Sequence, residues 1–216
     1  MNPKVTFIVP CYKLAHLLPE CIHSILIQTY QDFEVLVMDD CSPDDTPEVV
    51  RSFKDPRVQH IRNEPNLGHI RNYNKGIDLA RGSYVWLISA DDRLRRPDAL
   101  ERFLQVMEKN PNVGYAFSPA ANLENGVETG IAAWTANVNR DEILNGRKFL
   151  ARLVHRNFIP SPAGLVRKEC YDKVSKFPAD MPYAGDWYLW CLFAFHFDVA
   201  CFAEPMVHYR LHQLSM

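Results

Sequence analysis

The chain has 216 residues, 47% of them hydrophobic and 23% charged, the make-up of a globular protein with a substantial core, in one large domain or two small ones. A net charge of −2 and a pI of about 6.4 point away from nucleic acid or an anionic membrane as the main partner. No apolar run approaches the roughly 20 residues of a membrane span. The start, "MNPKVTFIVPCYK", enters a strand without the small-residue cleavage site of a signal peptide, so the expected compartment is the cytoplasm.

In chain order, 5–9 (VTFIV) is a short apolar run ended by Pro10, and 14–28 places Leu14, Leu18, Cys21, Ile22, Ile25 and Leu26 on one helical face. "FEVLVM" (33–38) reads as a buried strand, 46–54 as a helix opened by Thr46 and Pro47, and 58–61 as a third strand. A helix over 69–81, a strand from Tyr84 to Ile88, a helix over 97–109 and a strand over 113–118 follow. Alternation of strand and helix predicts an α/β fold, a mostly parallel sheet with helices on both faces. Ligands of such sheets bind outside the carboxyl ends of the strands, where "PCYK", "DDCSPDD" and "SADDR" fall.

Beyond residue 120 the rhythm changes. "ANLENGVETG" carries turn signals, and 141–154 reads as an amphipathic helix begun by Asp141. "NFIPSPAGLVRKECYDKV" reads as loop, short strand and helix, "YAGDWYLWCLFAFHF" as an apolar helix, and the tail as two short strands. With no repeat or linker between the halves, one domain is expected. The six cysteines have no CxxC or zinc-type spacing and read as small, partly buried thiols, with Cys11 and Cys41 each following a strand and expected near one another.

Four sets of polar residues stand out. Asp39 and Asp40 form either a turn bonding its own backbone or a carboxylate edge for a base or ribose. Asp91 and Asp92 end a buried strand, where adjacent carboxylates repel one another. Either they pair with Arg93, Arg95 or Arg96, or they hold a divalent cation together with substrate phosphates. Asp186 is either a helix N-cap or a general base facing the cleft. His208 and His212 read as surface histidines sharing a face. There is no P-loop sequence, so phosphates need another source of positive charge.

The block "VTFIVPCYKLAHLLPECIHSILIQTYQDFEVLVMDDCSPDDT", followed by "NLGHIRNYNKGIDLARGSYVWLISADD", "YAGDWYLW" and "YRLH", resembles the family 2 glycosyltransferases with the GT-A fold, over nearly the whole chain and in the family's order. The resemblance implies an inverting transfer of a sugar from a nucleotide-diphosphate donor, by preference a UDP-sugar, to a hydroxyl of a glycan, lipid-linked or other acceptor. Mn²⁺ or Mg²⁺ would bridge the diphosphate. Pro10, Tyr12 and Asp40 match nucleoside-binding positions, "SADD" matches the metal motif, so that Asp91 and Asp92 meet ribose and metal, Asp186 matches the catalytic base, and His212 matches a histidine that contacts metal or diphosphate. Residues 1–120 would form the nucleotide-sugar half and 121–216 the acceptor half. The chain stops at "LHQLSM" where many relatives continue, which implies a truncated acceptor side or membrane-associating tail, and leaves the inner membrane face open as a location.

This sequence departs from the pattern at Ser89, in place of the first aspartate of DxD, and at Tyr73, where an arginine is usual. Arg71 is the nearby arginine, about 200° away around an ideal helix. Lys13 replaces a common asparagine, and Gly185 a frequent glutamate. The rival readings are a sugar nucleotidylyltransferase, which would need a glycine-rich pyrophosphate loop near the first strand, and a non-catalytic nucleotide-sugar-binding module.

Overall fold

The structure, a computed structural model, describes residues 2–135 and 138–211. Its centre is an eight-stranded sheet in the order β3-β2-β1-β4-β10-β6-β11-β9. Strands β1 (Val5–Cys11), β2 (Phe33–Asp39), β3 (Val58–Arg62) and β4 (Tyr84–Leu87) run parallel, so their carboxyl ends share one edge. β10 (Gly164–Arg167) inserts antiparallel between β4 and β6 (Val113–Phe117), and β11 (Asp198–Cys201) and β9 (Glu142–Leu144) complete the sheet. Every residue of β1 and β2 is buried, which is why these strands read as continuous apolar runs and not as alternating ones.

The sheet divides the core. Val5, Phe7, Val9 and Trp86 pack on one side with α1 (Leu18–Leu26) and α4 (Ala99–Lys109). Ile8, Leu36, Met38 and Leu87 pack on the other with α3 (His69–Leu79), α6 (Lys168–Val174) and α7 (Gly185–His196). α2 (Thr46–Ser52) lies between β2 and β3 in sequence. On α3, Gly76 lets the helix lie against β1: a Cβ there would come 2.6 Å from Cγ2 of Ile8.

A second sheet, in the order β5-β12-β7-β8, stands beside the ligand edge. It contains β5 (Arg93–Leu94), β7 (Ala120–Glu124), β8 (Val127–Ile131) and β12 (Val207–Arg210). The β7–β8 hairpin turns on Asn125 and Gly126, both at positive φ (50° and 81°), the pairing that twists a two-residue turn to suit its strands.

Two expectations need correction. The stretch 141–154 is not one helix: Glu142–Leu144 pair with β11, and α5 (Gly146–Leu153) starts only after Asn145, whose side chain accepts from Lys148 N. Edge pairing prevails over helical periodicity because Asp198 binds Gly146 N (3.0 Å) and the Phe197 backbone leaves no space for a Cβ at Gly146. Asp141 instead accepts from Ala203 N at 2.9 Å. His208 is no surface histidine either. It is buried on β12, with Nε2 2.7 Å from Glu128 and Nδ1 accepting from Arg93. His212 lies outside the described residues. All six cysteines are free, and Cys11 and Cys41 face different partners, Thr46 and Arg62. Among the described residues no helix is long and apolar enough to cross a membrane.

Candidate active site

Three loops meet at the ligand edge because β2, β1 and β4 are neighbours. They are stitched together by Asp40 N to Cys11 O (2.9 Å) and Ala90 N to Pro10 O (3.1 Å). Two cavities open there. One, of about 540 Å³, is lined by Pro10, Tyr12, Lys13, Asp40 and Asn72. The other, of about 590 Å³, is lined by Asp92, Asn157, Asp186 and Tyr209. They share His69, Tyr73, Ser89 and Asp91, so Asp91 stands on the boundary between them.

The Asp39–Asp40 doublet divides its work. Burial pushes the Asp39 carboxyl up, but hydrogen bonds from Ser42 N (2.8 Å), His60 and Arg62 (2.7 Å) more than offset this and hold it below the usual range. Asp40 accepts from the Asn63 amide, from Leu67 N and from Gly68 N (2.8, 2.8 and 2.9 Å). Gly68, at φ 78°, is the residue that turns its N–H to this carboxylate and starts α3. Asp40 therefore clamps the loop above the first cavity while forming part of its wall. Tyr12 is exposed there with the Lys13 ammonium 5.0 Å above its ring, so a positive charge borders the cavity. Arg71 is exposed on α3 and lies outside both linings.

Asp91 and Asp92 sit in the turn after β4, closed by Asp92 N to Ser89 O (3.0 Å). Arg93, Arg95 and Arg96 pair with Glu20, Glu128, Asp98 and Glu204, which disposes of the sequence-based alternative that they neutralise the doublet. Arg210 reaches the turn from β12: its backbone N–H bonds Asp92 Oδ1 (2.9 Å), its guanidinium Nε bonds the Asp91 carbonyl (2.7 Å) and its Nη2 pairs with Glu20 (2.7 Å). Burial, and then the Asp91 charge, push the Asp92 carboxyl well above the usual range. Among the described residues no three His, Cys, Asp or Glu side chains converge as a metal cage. The donor set, one hard-oxygen carboxylate on the cavity boundary and a second beside it, fits a Mg²⁺- or Mn²⁺-type cation completed by phosphate oxygens and water.

Asp186 is not the N-cap of α7. That position is Ala184, and Asp186 lies in the first helical turn with its carboxylate on the second cavity. Oδ1 accepts from Trp187 N (2.6 Å) and Oδ2 from the Asn157 amide (3.3 Å), whose own orientation is fixed by Ile159 N. Burial pushes its carboxyl up.

The geometry also brings in Tyr73, which the sequence marked only as a departure from the family pattern, and residues that it did not mark at all. Tyr73 stands between the cavities against His69 and Phe177, and its hydroxyl is pushed up by burial and then by Asp91, Asp186 and Asp92. The signal was available in part, since His69 and Tyr73 are four apart on one helix face. His69 bonds the Pro182 carbonyl (3.0 Å), tying α3 to the loop before Asp186. Asn157, Trp134 and Tyr209 carried no such signal.

The model of the glycosyl transferase family 2 matches residues 6–174. The chain belongs to this family. Similar proteins include an uncharacterized glycosyltransferase of Haemophilus influenzae, 30% identical over 97% of this chain and 66% of the relative. The succinoglycan biosynthesis protein ExoO of Rhizobium meliloti is 41% identical over 48% of this chain and 29% of its own length. Among solved structures, S. aureus TarS 1–349 in complex with UDP-GlcNAc superposes with a TM-score of 0.78 at 19% identity, over 98% of this chain and 60% of that one. The mannosyltransferase PcManGT of Pyrobaculum calidifontis, in complex with GDP-Man and Mn²⁺, gives 0.72 at 21%, over 100% and 59%. The fold is GT-A. The chain spans 36%, 66% and 55% of the length of three curated relatives that it matches.

Proposed function

We propose that this family 2 chain transfers a sugar from a nucleotide-diphosphate donor, a UDP-sugar in our reading, to an acceptor hydroxyl with inversion. The observation that carries the proposal is the position of Asp91 on the boundary of two cavities, one walled by Pro10, Tyr12 and Asp40 and the other by Asp186. The donor's nucleoside belongs with the first set and the acceptor with the second.

The chemistry follows from that division. The acceptor oxygen attacks the anomeric carbon as the carbon–oxygen bond to the diphosphate breaks, and the nucleoside diphosphate leaves with the bonding pair. Asp186 takes the hydroxyl proton, and attack from the face opposite the leaving group inverts the anomeric centre. Its position beside Asn157, and the burial that raises its affinity for a proton, support that role. Asp91 and Asp92 would hold Mn²⁺ or Mg²⁺, which when bound supplies Lewis-acid neutralisation of the leaving diphosphate. Lys13 adds a fixed charge on the donor side. The UDP-GlcNAc complex of TarS supports uridine, while PcManGT with GDP-Man shows that the same fold accepts another base. His212 keeps its resemblance-based role as a further contact to metal or diphosphate.

The test uses release of UDP from a panel of UDP-glucose, UDP-galactose and UDP-N-acetylglucosamine. Asp186→Asn is expected to lower turnover by about two orders of magnitude or more while nucleotide affinity stays nearly unchanged. An equal loss of binding would mark Asp186 as structural.

A further inference from the structure

The wall of the second cavity carries an unusual side chain. Trp134 is 43% exposed, yet the turn bearing it is fixed. Ala132 and Thr135 on either side are buried, Ala132 N bonds Ala120 O (2.9 Å), and Thr135 bonds the Ala132 carbonyl through both its N–H (3.0 Å) and its hydroxyl (2.7 Å). The indole stands edge-on to Tyr209, with centroids 5.7 Å apart and an 80° interplanar angle. Tyr183, 87% exposed in the loop before α7, lines the same cavity. A large aromatic held rigid at the surface loses little entropy when something packs on it, which is how binding anchors are built.

Charge narrows what that something is. The described lining of this cavity includes Asp91, Asp92, Asp186 and His69, but no lysine or arginine. An acceptor with a phosphate or carboxylate next to its reacting hydroxyl would enter a field of carboxylates with no lysine or arginine of the described lining to pair with. A neutral sugar ring meets no such cost. It also presents a face of C–H bonds that packs against the electron-rich face of an indole, leaving its hydroxyls for Asn157 and Asp186.

We infer that Trp134 is the platform of the acceptor subsite, and that the subsite takes an uncharged pyranose ring in preference to a phosphorylated or acidic one. This rests on the glycosyl-transfer reading above and adds the acceptor's chemical class to it. Trp134 is a specificity determinant here, not a catalytic residue.

Saturation-transfer NMR on the native chain with UDP and Mn²⁺ tests it, with methyl β-glucopyranoside, methyl β-galactopyranoside, methyl β-N-acetylglucosaminide and glucose 6-phosphate as probes. At least one neutral glycoside is expected to bind, with glucose 6-phosphate at least tenfold weaker. Trp134→Ala should weaken the glycoside at least tenfold and leave UDP affinity unchanged, which also shows that the variant is folded. Trp134→Phe, which keeps a ring, should recover most of the loss. Glycoside binding unaltered in Trp134→Ala, glucose 6-phosphate bound as well as the glycosides, or UDP bound with no glycoside binding would each overturn the inference. Failure of UDP to bind while a glycoside binds through Trp134 would uphold it and count against the donor reading.

Discussion

Asp186 shows how one residue links burial, titration and chemistry. Its carboxyl is raised by burial, so between the ordinary carboxylate value near 3.8 and its folded value the native state holds a proton that the unfolded chain has released. Stability from this group is therefore greatest at low pH, falls as pH rises through that window, and stays lower at neutral pH. Asp186→Asn lacks the titration. Its melting temperature relative to the native chain should climb across the window and level off above it, even as activity is lost. A difference that stays flat from pH 3.5 to 7 would contradict the assigned burial. The same shift places the acid limb of the pH–rate profile above 3.8. Asp40 and Asp92 carry a different lesson. Both face a cavity, and both also hold the backbone, through Leu67 and Gly68 in one case and Arg210 in the other. Substituting either would mix folding with function, so Asp186 and Trp134 are the cleaner tests.

At the scale of elements, the position of the ligand edge depends on how closely α3 lies on β1. Gly76→Ala forces a Cβ to within 2.6 Å of Ile8, and the overpacking should cost about 1–3 kcal/mol. The gain in helix propensity, about 1 kcal/mol, offsets part of it. Urea unfolding would measure the difference, and a midpoint at or above that of the native chain would mean that α3 sits farther from the sheet. Elements also decide what was legible in the sequence. β1, β2 and β4 are buried on both faces, so their apolar runs and the polar clusters at their ends stood out, and the Asp39–Asp40 and Asp91–Asp92 doublets were visible as local pattern, while Pro10 and Tyr12 entered through the family resemblance. The second cavity depends on non-local pairing. β12 joins β7 from 87 positions away in sequence (Val207 with Ala120), which brings Tyr209 beside Trp134 and buries His208. No local period encodes that. For the same reason Glu142–Leu144 looked helical: only the partner strand β11 shows that it is an edge strand.

On the scale of the whole molecule, the two halves of the chain are interleaved and not merely adjacent. β10, from the second half, lies inside the main sheet, and β12 bonds the turn that carries Asp91 and Asp92. The groups proposed to bind donor and acceptor are thereby held in one frame around Asp91, as the proposed single displacement between two bound substrates requires. We propose that this frame binds a nucleoside diphosphate with a divalent cation at Asp91. Calorimetric titration of the native chain with UDP, GDP, CDP and dTDP, each with Mn²⁺ and with chelator, tests it most directly. One diphosphate, UDP, is expected to bind, with an affinity that requires Mn²⁺ and is lost in Asp91→Ala. Affinity that is the same with and without chelator, or no binding of any of the four, would contradict it.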